Sequence, residues 1–217
     1  MKKRFGFTLS EIMLGIVILG ILLALLTPAI VKVSPSIDKT VVRRSFYTIT
    51  TTVNDLLSNP LFYSHINEAT GEIYEGFDDT SSITYRGTEY SGNSKFADLF
   101  IANLNYKGSI DTSATNCSGA FSDITIDTCK TVYIANGSKW TFATPSGTGN
   151  ITSYILIDTN GDKLPNCRVD STEDICKDPD VVYDQFRVII YKNGKVIINS
   201  ADGWAAQSIK STGTIVD

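Results

Sequence analysis

Residues 1–33 read MKKRFGFTLSEIMLGIVILGILLALLTPAIVKV: a basic leader (Lys2, Lys3, Arg4), then Gly6 and Phe7, then a run whose only charge before Lys32 is Glu11. The 20 positions from Ile12 to Val31 carry no charge, enough helix to cross a hydrocarbon core of roughly 30 Å. Cations ahead of the run place the N-terminus on the cytoplasmic side and the bulk of the chain outside. The apolar core is too long for a cleaved secretory signal, and no small-x-small site closes it. A plain signal anchor accounts for the length but not for Glu11, because a carboxylate in lipid costs on the order of 2.5–3.5 kcal/mol at the helix centre and usually has a partner. Either Glu11 lies in the first turn at headgroup level, where the helix dipole favours it, or it pairs with another protein group.

The segment GFTLSE at Gly6–Glu11, behind a short basic leader and ahead of this apolar run, resembles the N-terminus of type IV prepilins and type II secretion pseudopilins. Beyond the membrane run the likeness is loose. The resemblance implies that a prepilin peptidase cuts between Gly6 and Phe7 and methylates the new amino group of Phe7. It implies that Glu11 pairs with the terminal amine of a neighbouring subunit, a role consistent with the strong penalty on an unpaired charge among apolar helices. Pro28 falls where pilin helices commonly kink or open. The implied fold is α+β and pilin-like: a long N-terminal spine helix, its first half membrane-spanning, packed on a four- to five-stranded antiparallel sheet. The expected division is a cleaved leader (1–6), a transmembrane and assembly half-helix (7–33), an amphipathic half-helix (34–59) and a globular head (60–217).

The rest of the chain supports that plan. Its 217 residues leave enough length beyond the membrane run for one domain with a real core. Discarding Lys2, Lys3 and Arg4 would take the net charge from −4 to −7, so composition gives no case for a broad basic surface that binds nucleic acid. Pro35 either kinks the helix or restarts it. Val42, Phe46, Ile49, Val53 and Leu56 recur at spacings of four and three, one apolar stripe of a helix that ends near Asn59-Pro60. Residues 60–130 form a variable loop region, rich in Gly, Ser, Thr and Asp, around a short helix at Lys95–Leu104 with Phe96, Leu99, Phe100 and Leu104 inward. Residues 131–217 turn to strands: Thr131–Ile134 and Trp140–Phe142 around Asn136-Gly137, Tyr154–Ile157, and Phe186–Tyr191 with Lys195–Ile198 around Asn193-Gly194.

Cys117, Cys129, Cys167 and Cys176 all lie on the outer side of the membrane run, where an oxidising compartment permits disulfides. There is no CxxC and one histidine, His65, so the pattern does not resemble a zinc site. Pairing of sequence neighbours is the simplest of three connectivities, each bond contributing about 2–4 kcal/mol, and free thiols remain an alternative. Asp158-Thr159-Asn160-Gly161-Asp162, followed by Asn166 and Asp170, sets oxygen ligands at alternate loop positions after a strand, as a structural calcium ion requires. The loop departs from the EF-hand pattern, since Lys163 stands where the tight-turn glycine belongs. The competing reading is an Asp/Asn/Gly turn in a solvated acidic loop. Many pilin-like heads carry such a stretch here, which adds weight to a structural role.

No catalytic motif is present: no GxSxG, no phosphate loop, no HExxH. His65 reads as a loop histidine, and Trp140 and Trp204 as core or sheet-edge aromatics. The chain is therefore expected to be a filament subunit and not an enzyme. Its partners are other pilin or pseudopilin subunits, prepilin peptidase, an inner-membrane assembly platform, and lipid before assembly. It would sit in the bacterial inner membrane with its N-terminus cytoplasmic, and afterwards in a periplasmic or cell-surface filament. The alternative is a membrane-anchored or filament-tip adhesive protein acting through its acidic head.

Overall fold

The structure, a computed structural model, describes residues 9–66, 70–71, 73–119, 121, 124–147 and 149–210, without the side chains of residues 23–38. The chain forms two compact units, residues 1–40 and residues 41–217. Helix α1, Leu9–Ser58, contributes to both.

Between Ile12 and Leu22 the described side chains are apolar on every side of the helix. Ile12, Met13, Leu14, Ile16, Val17, Ile18, Leu19, Ile21 and Leu22 are each at least half exposed. A helix that is apolar all round has no solvated face and belongs in a non-aqueous or protein-covered setting. Among the described residues no helix is long and apolar enough to cross a membrane. The second half of the expected span, beyond Leu22, falls among the side chains outside the description.

The second unit is built around the apolar stripe of α1. Val42, Ile49, Val53 and Leu56 are fully buried and Phe46 packs beside them. Their target is one face of a six-stranded antiparallel sheet in simple sequential order: β3 (Tyr106–Asp111), β4 (Ile126–Ile134), β5 (Lys139–Pro145), β6 (Ile151–Asp158), β7 (Gln185–Tyr191) and β8 (Val196–Ile198). Register places Val132 opposite Trp140, Trp140 opposite Ile157 and Ile157 opposite Phe186, with Phe142, Ile155 and Val188 forming the next row. Since side chains alternate between faces, these rows give one continuous apolar layer. The layer is completed by α2 (Lys95–Ala102), whose Phe96, Leu99, Phe100 and Ile101 are buried.

Six strands stand where four or five were expected. The extra one is β3, whose sequence YKGSID has no apolar alternation and whose residues after Tyr106 are exposed. It is an edge strand held by backbone pairing to β4, so its side chains carry no hydrophobic signal. A hairpin of β1 (Ile83–Tyr85) and β2 (Thr88–Tyr90) also emerges from the variable region, turned by Arg86 and Gly87, both at positive φ. The short helix ends at Ala102, with Leu104 beyond it still packed on the core. A single helical turn, α3 (Thr115–Ser118), lies between β3 and β4, and a final helix, α4 (Gly203–Lys210), is tied to α1 by Arg43 Nε donating to the Ser208 carbonyl at 2.6 Å.

Inside the variable region a charge is buried. Lys95 is 1% exposed, with its Nζ 3.4 Å from Asp79 Oδ2 and 4.6 Å from the centre of the Tyr63 ring. Burial lowers the Lys95 pKa, and the Asp79 charge opposes that fall. Burial works against the Asp79 carboxylate too, but hydrogen bonds from Ser81 and the Ser64 N–H, with Lys95 nearby, hold it below the usual range. The same region meets the β7–β8 turn at Gly76, where φ is +62 and an added Cβ would lie 1.8 Å from the Lys192 carbonyl oxygen.

Two outcomes follow from this packing. Ile49→Ala should cost about 2–5 kcal/mol in urea unfolding of the full chain in micelles, while Tyr47→Ala on the exposed side of α1 should stay within about 0.5 kcal/mol. Gly76→Ala should destabilise strongly despite removing no contact, because the Lys192 carbonyl has to move; an unchanged unfolding midpoint would contradict the close approach.

Candidate functional site

Two regions carry the residues singled out by sequence. At the N-terminus, Gly6 and Phe7 lie outside the described residues. Glu11 sits in the first turn of α1, exposed, at the end where the helix dipole favours an anion. The helix continues past Pro28, whose side chain is outside the description.

The second region is the other face of the sheet. Alternation that turns Trp140, Ile155 and Phe186 toward α1 turns Lys139, Thr141, Leu156, Asp158, Gln185 and Arg187 the opposite way, with Lys139 opposite Asp158, Thr141 opposite Leu156 and Asp158 opposite Gln185. Among the described residues no helix longer than the single turn Thr115–Ser118 covers this face. Two loops do so instead, each closed by a disulfide: Cys117–Cys129 and Cys167–Cys176, with Cα–Cα distances of 6.1 and 5.4 Å. The sequence-neighbour pairing is thus the one present.

The five expected calcium ligands do not form one donor set. Asp158, buried at the end of β6, accepts from the Asn160 N–H at 3.2 Å and from Gln185 Nε2 at 2.9 Å. Asp162 turns back to the sheet, where Tyr133 Oη donates to it at 2.6 Å and Lys139 Nζ at 2.8 Å. Asp170 is taken by Arg168 and Arg187. Asn160 and Asn166 stay with Asp158, and all three gather around a carboxylate that sequence spacing did not single out, Asp184. Its Oδ2 accepts from Asn160 Nδ2 at 2.8 Å and from the Asn166 N–H at 3.0 Å, and its Oδ1 from the Cys167 N–H. Gly161 closes the loop against the β4–β5 turn, its φ at +76 and a Cβ there only 2.7 Å from the Gly137 carbonyl oxygen.

One atom position in this cluster is chemically informative. The end of the Asn166 amide lies 2.9 Å from Asp158 Oδ2, 2.9 Å from the Lys163 carbonyl oxygen and 3.1 Å from the Gly161 carbonyl oxygen. The amide nitrogen faces inward, its two hydrogens shared among these three acceptors. Among the described residues no group of three or more His, Cys, Asp or Glu side chains could hold a metal ion. Backbone carbonyls and an amide are hard oxygen donors that such a grouping does not count. Asp162 and Asp170 are drawn out of any shared donor set by Tyr133, Lys139, Arg168 and Arg187.

Burial raises the Asp158 pKa to about 6, with the hydrogen bond from Gln185 opposing and the Asp184 charge adding to the rise. Asp202 behaves alike: it is fully buried, accepts from the Arg187 N–H at 2.8 Å, and finds no partner for Oδ1. Burial pushes it up to about 6 as well, opposed by the Arg187 backbone bond and charge. A carboxyl whose folded pKa exceeds its unfolded 3.8 contributes stability that is full below pH 3.8 and lost as pH rises through about 6. The lowered carboxylates, Asp79 and Asp170 among them, act in the opposite sense, losing their contribution as pH falls below the unfolded value. The melting midpoint should accordingly rise by a few degrees from pH 7 to about pH 5 and fall again under stronger acid. Asp202→Asn should flatten the rise between pH 5 and 7, as read by thermal melts; an unaltered slope would remove Asp202 from this account.

Comparison with known proteins bears on the N-terminal region. No curated protein and no solved structure gives a significant match to the chain. A family model described as the prokaryotic N-terminal methylation motif matches residues 1–27. The chain therefore carries at its N-terminus the prepilin signal of type IV pilins and pseudopilins.

Proposed function

We propose that this protein is a structural subunit of a type IV pilus-like or type II secretion pseudopilus filament. The observation that carries the reading is the methylation motif at residues 1–27, followed in the same helix by the stripe Val42, Ile49, Val53 and Leu56 that a sheet covers completely. The chain is held in the inner membrane by the apolar part of α1, cut between Gly6 and Phe7, methylated at Phe7, and drawn into a helical assembly. Within the filament neighbouring helices replace lipid around Ile12 to Leu22, and Glu11 pairs with the amine of Phe7 in the next subunit. Contacts of this head-to-tail kind do not close on themselves and so propagate as a filament. The apolar exposure along residues 12–22 supports the reading, because such a surface needs a non-aqueous neighbour before and after assembly.

We further propose that the acidic loop holds a structural calcium ion, with Asp158, Asn166 and the carbonyls of Gly161 and Lys163 as its oxygen donors. The ion would supply the positive charge that the buried Asp158 and Asp184 otherwise lack.

Mass spectrometry of the purified protein should show a chain that begins at methylated Phe7; a chain retaining Met1–Gly6 would sink the processing step. Glu11→Ala should leave the head folded and abolish incorporation into filaments, seen by electron microscopy of sheared cell-surface fractions. Chelation should lower the melting temperature of the intact protein, and Asn166→Ala should remove that response; equal melts with and without calcium would refute the ion.

A further inference from the structure

The six-stranded sheet has two edges, and they are built differently. At one edge β3 carries Lys107 and Asp111, holds Gly108 at φ +76 and slips in register against β4. Charge, glycine and irregular pairing are means by which an edge strand discourages a further strand. At the other edge β8 is Val196-Ile197-Ile198, even in register against β7 and without a charge. We propose that a segment of the same chain, Ser211-Thr212-Gly213-Thr214-Ile215-Val216-Asp217, adds to β8 as a further strand and closes this apolar edge against other chains.

Register fixes which backbone groups the edge presents. Val188 lies opposite Ile198 and Ile190 opposite Val196, while the Tyr191 N–H donates to the Lys195 carbonyl and the Asn199 N–H to the Arg187 carbonyl. Bonded and non-bonded pairs alternate along an antiparallel ladder. The carbonyl of Lys195, both groups of Ile197 and the N–H of Asn199 therefore face β7, and the N–H and C=O of Val196 and Ile198 point away from it. Among the described residues none of these four groups has a hydrogen-bond partner, although both residues are half-buried. Backbone groups withdrawn from water need partners, and an added strand supplies donors and acceptors in the alternation they require.

Beside this edge lies an apolar hollow of about 100 Å³, lined by Phe46 of α1, Ile197 and Ile198 of β8, and Ala206, Ile209 and Lys210 of α4. A hollow so small takes an aliphatic side chain and not a folded partner. The occupant is read from the sequence beyond the described residues. Lys210, which directly precedes the segment, itself lines the hollow, and α4 is held in place by the bond from Arg43 to the Ser208 carbonyl. Residues 199–210, which include α4, match the crossover of about a dozen residues that joins parallel neighbouring strands. The segment has strand-forming composition: Thr212, Thr214, Ile215 and Val216 are β-branched, and Ile215 and Val216 are its two aliphatic residues. At about 3.3 Å per residue it is more than long enough to run along β8. Its attachment through Lys210 also gives it a high effective concentration at the edge, an advantage no strand of another copy shares.

The test is amide hydrogen exchange of the full chain in micelles, read by NMR at Val196 and Ile198, with the Val188 amide as the report of an intact sheet. In the intact chain both edge amides should be protected, and removal of residues 211–217 should speed their exchange about tenfold or more while Val188 is unchanged. The free peptide Ser211–Asp217 added to the shortened chain should restore the protection. Ile215→Asp combined with Val216→Asp should reproduce the loss and Ser211→Asp should not, which keeps the question answerable if the shortened chain fails to fold. Exchange at Val196 and Ile198 in the intact chain as fast as at the exposed Ser200 would overturn the proposal. So would protection that survives the double substitution, or protection that fades when the chain is diluted among micelles, since the strand would then come from another copy. Filament assembly is not needed for the measurement, so failure here leaves the filament reading untouched.

Discussion

Burial of one helical stripe against one face of one sheet is the interaction from which the head's other features follow. Val42, Ile49, Val53 and Leu56 have no solvent exposure worth the name, and the sheet answers them with Trp140, Phe142, Ile155, Ile157, Phe186 and Val188. Because strand side chains alternate, fixing these residues inward fixes Thr141, Leu156, Asp158, Gln185 and Arg187 outward. A one-residue slip in any central strand would put charges under α1 and aromatics in water. The register of the polar face is thus set by the apolar one.

The polar face then meets a different problem. It is mixed in character, and loops cover it: the first is anchored by the buried Phe121, packed with Ala143 and Leu156 of the sheet, while the second rests on polar contacts. The two disulfides restrict the unfolded loops. The second loop gains further order from buried hydrogen bonds that converge on Asp184, which receives Asn160, Asn166 and Cys167. Such a network is costly unless nearly every member is satisfied. The position of the Asn166 amide is where that account is closed, either by an amide N–H or by an ion.

Legibility in the sequence tracks how strongly a residue's role shows in its neighbours. The α1 stripe could be read because burial repeats every three to four residues, and the β4–β5 and β7–β8 hairpins because β-branched runs flank Asn136-Gly137 and Asn193-Gly194. Strand β3 could not, since its side chains after Tyr106 are exposed and its pairing with β4 is irregular between Lys107 and Asp111. Helix α4 and the β1–β2 hairpin were equally silent, being too short for a period to emerge. In the acidic loop, spacing identified the oxygen-bearing residues but not their directions. Asp162 and Asp170 belong by sequence with Asp158, yet Lys139 and Arg187 from the sheet, with Arg168 in the loop itself, draw them away. Asp184 was hidden for the converse reason, lying far along the chain, and carbonyl donors leave no trace in any sequence. Lys95 reads as an ordinary solvated helix-start lysine, and only the tertiary fold places Asp79 and Tyr63 around it.

The chain thus handles charge in three ways, and the differences separate its parts. Lys95 and Asp79 neutralise one another inside the core, where each also has a ring or hydrogen bonds to lean on. Asp158 and Asp202 are buried with hydrogen bonds but without a matching cation, and their ionised forms are disfavoured in consequence. Glu11 lies in a helix whose described neighbours are exposed and apolar. The first pair stabilises a finished domain and asks nothing of any partner. The buried carboxylates are most stable when something positive or protonated joins them, which makes the polar face of the head responsive to its surroundings. Around Glu11 the apolar surface requires an environment that water cannot provide, and a carboxylate in such an environment is tolerable only when a cation meets it. On the proposed reading, cleavage after Gly6 would set such a cation, the amine of Phe7, four residues from Glu11 in sequence; the leader it removes carries Lys2, Lys3 and Arg4, so processing would reposition positive charge along the helix end, not add to it.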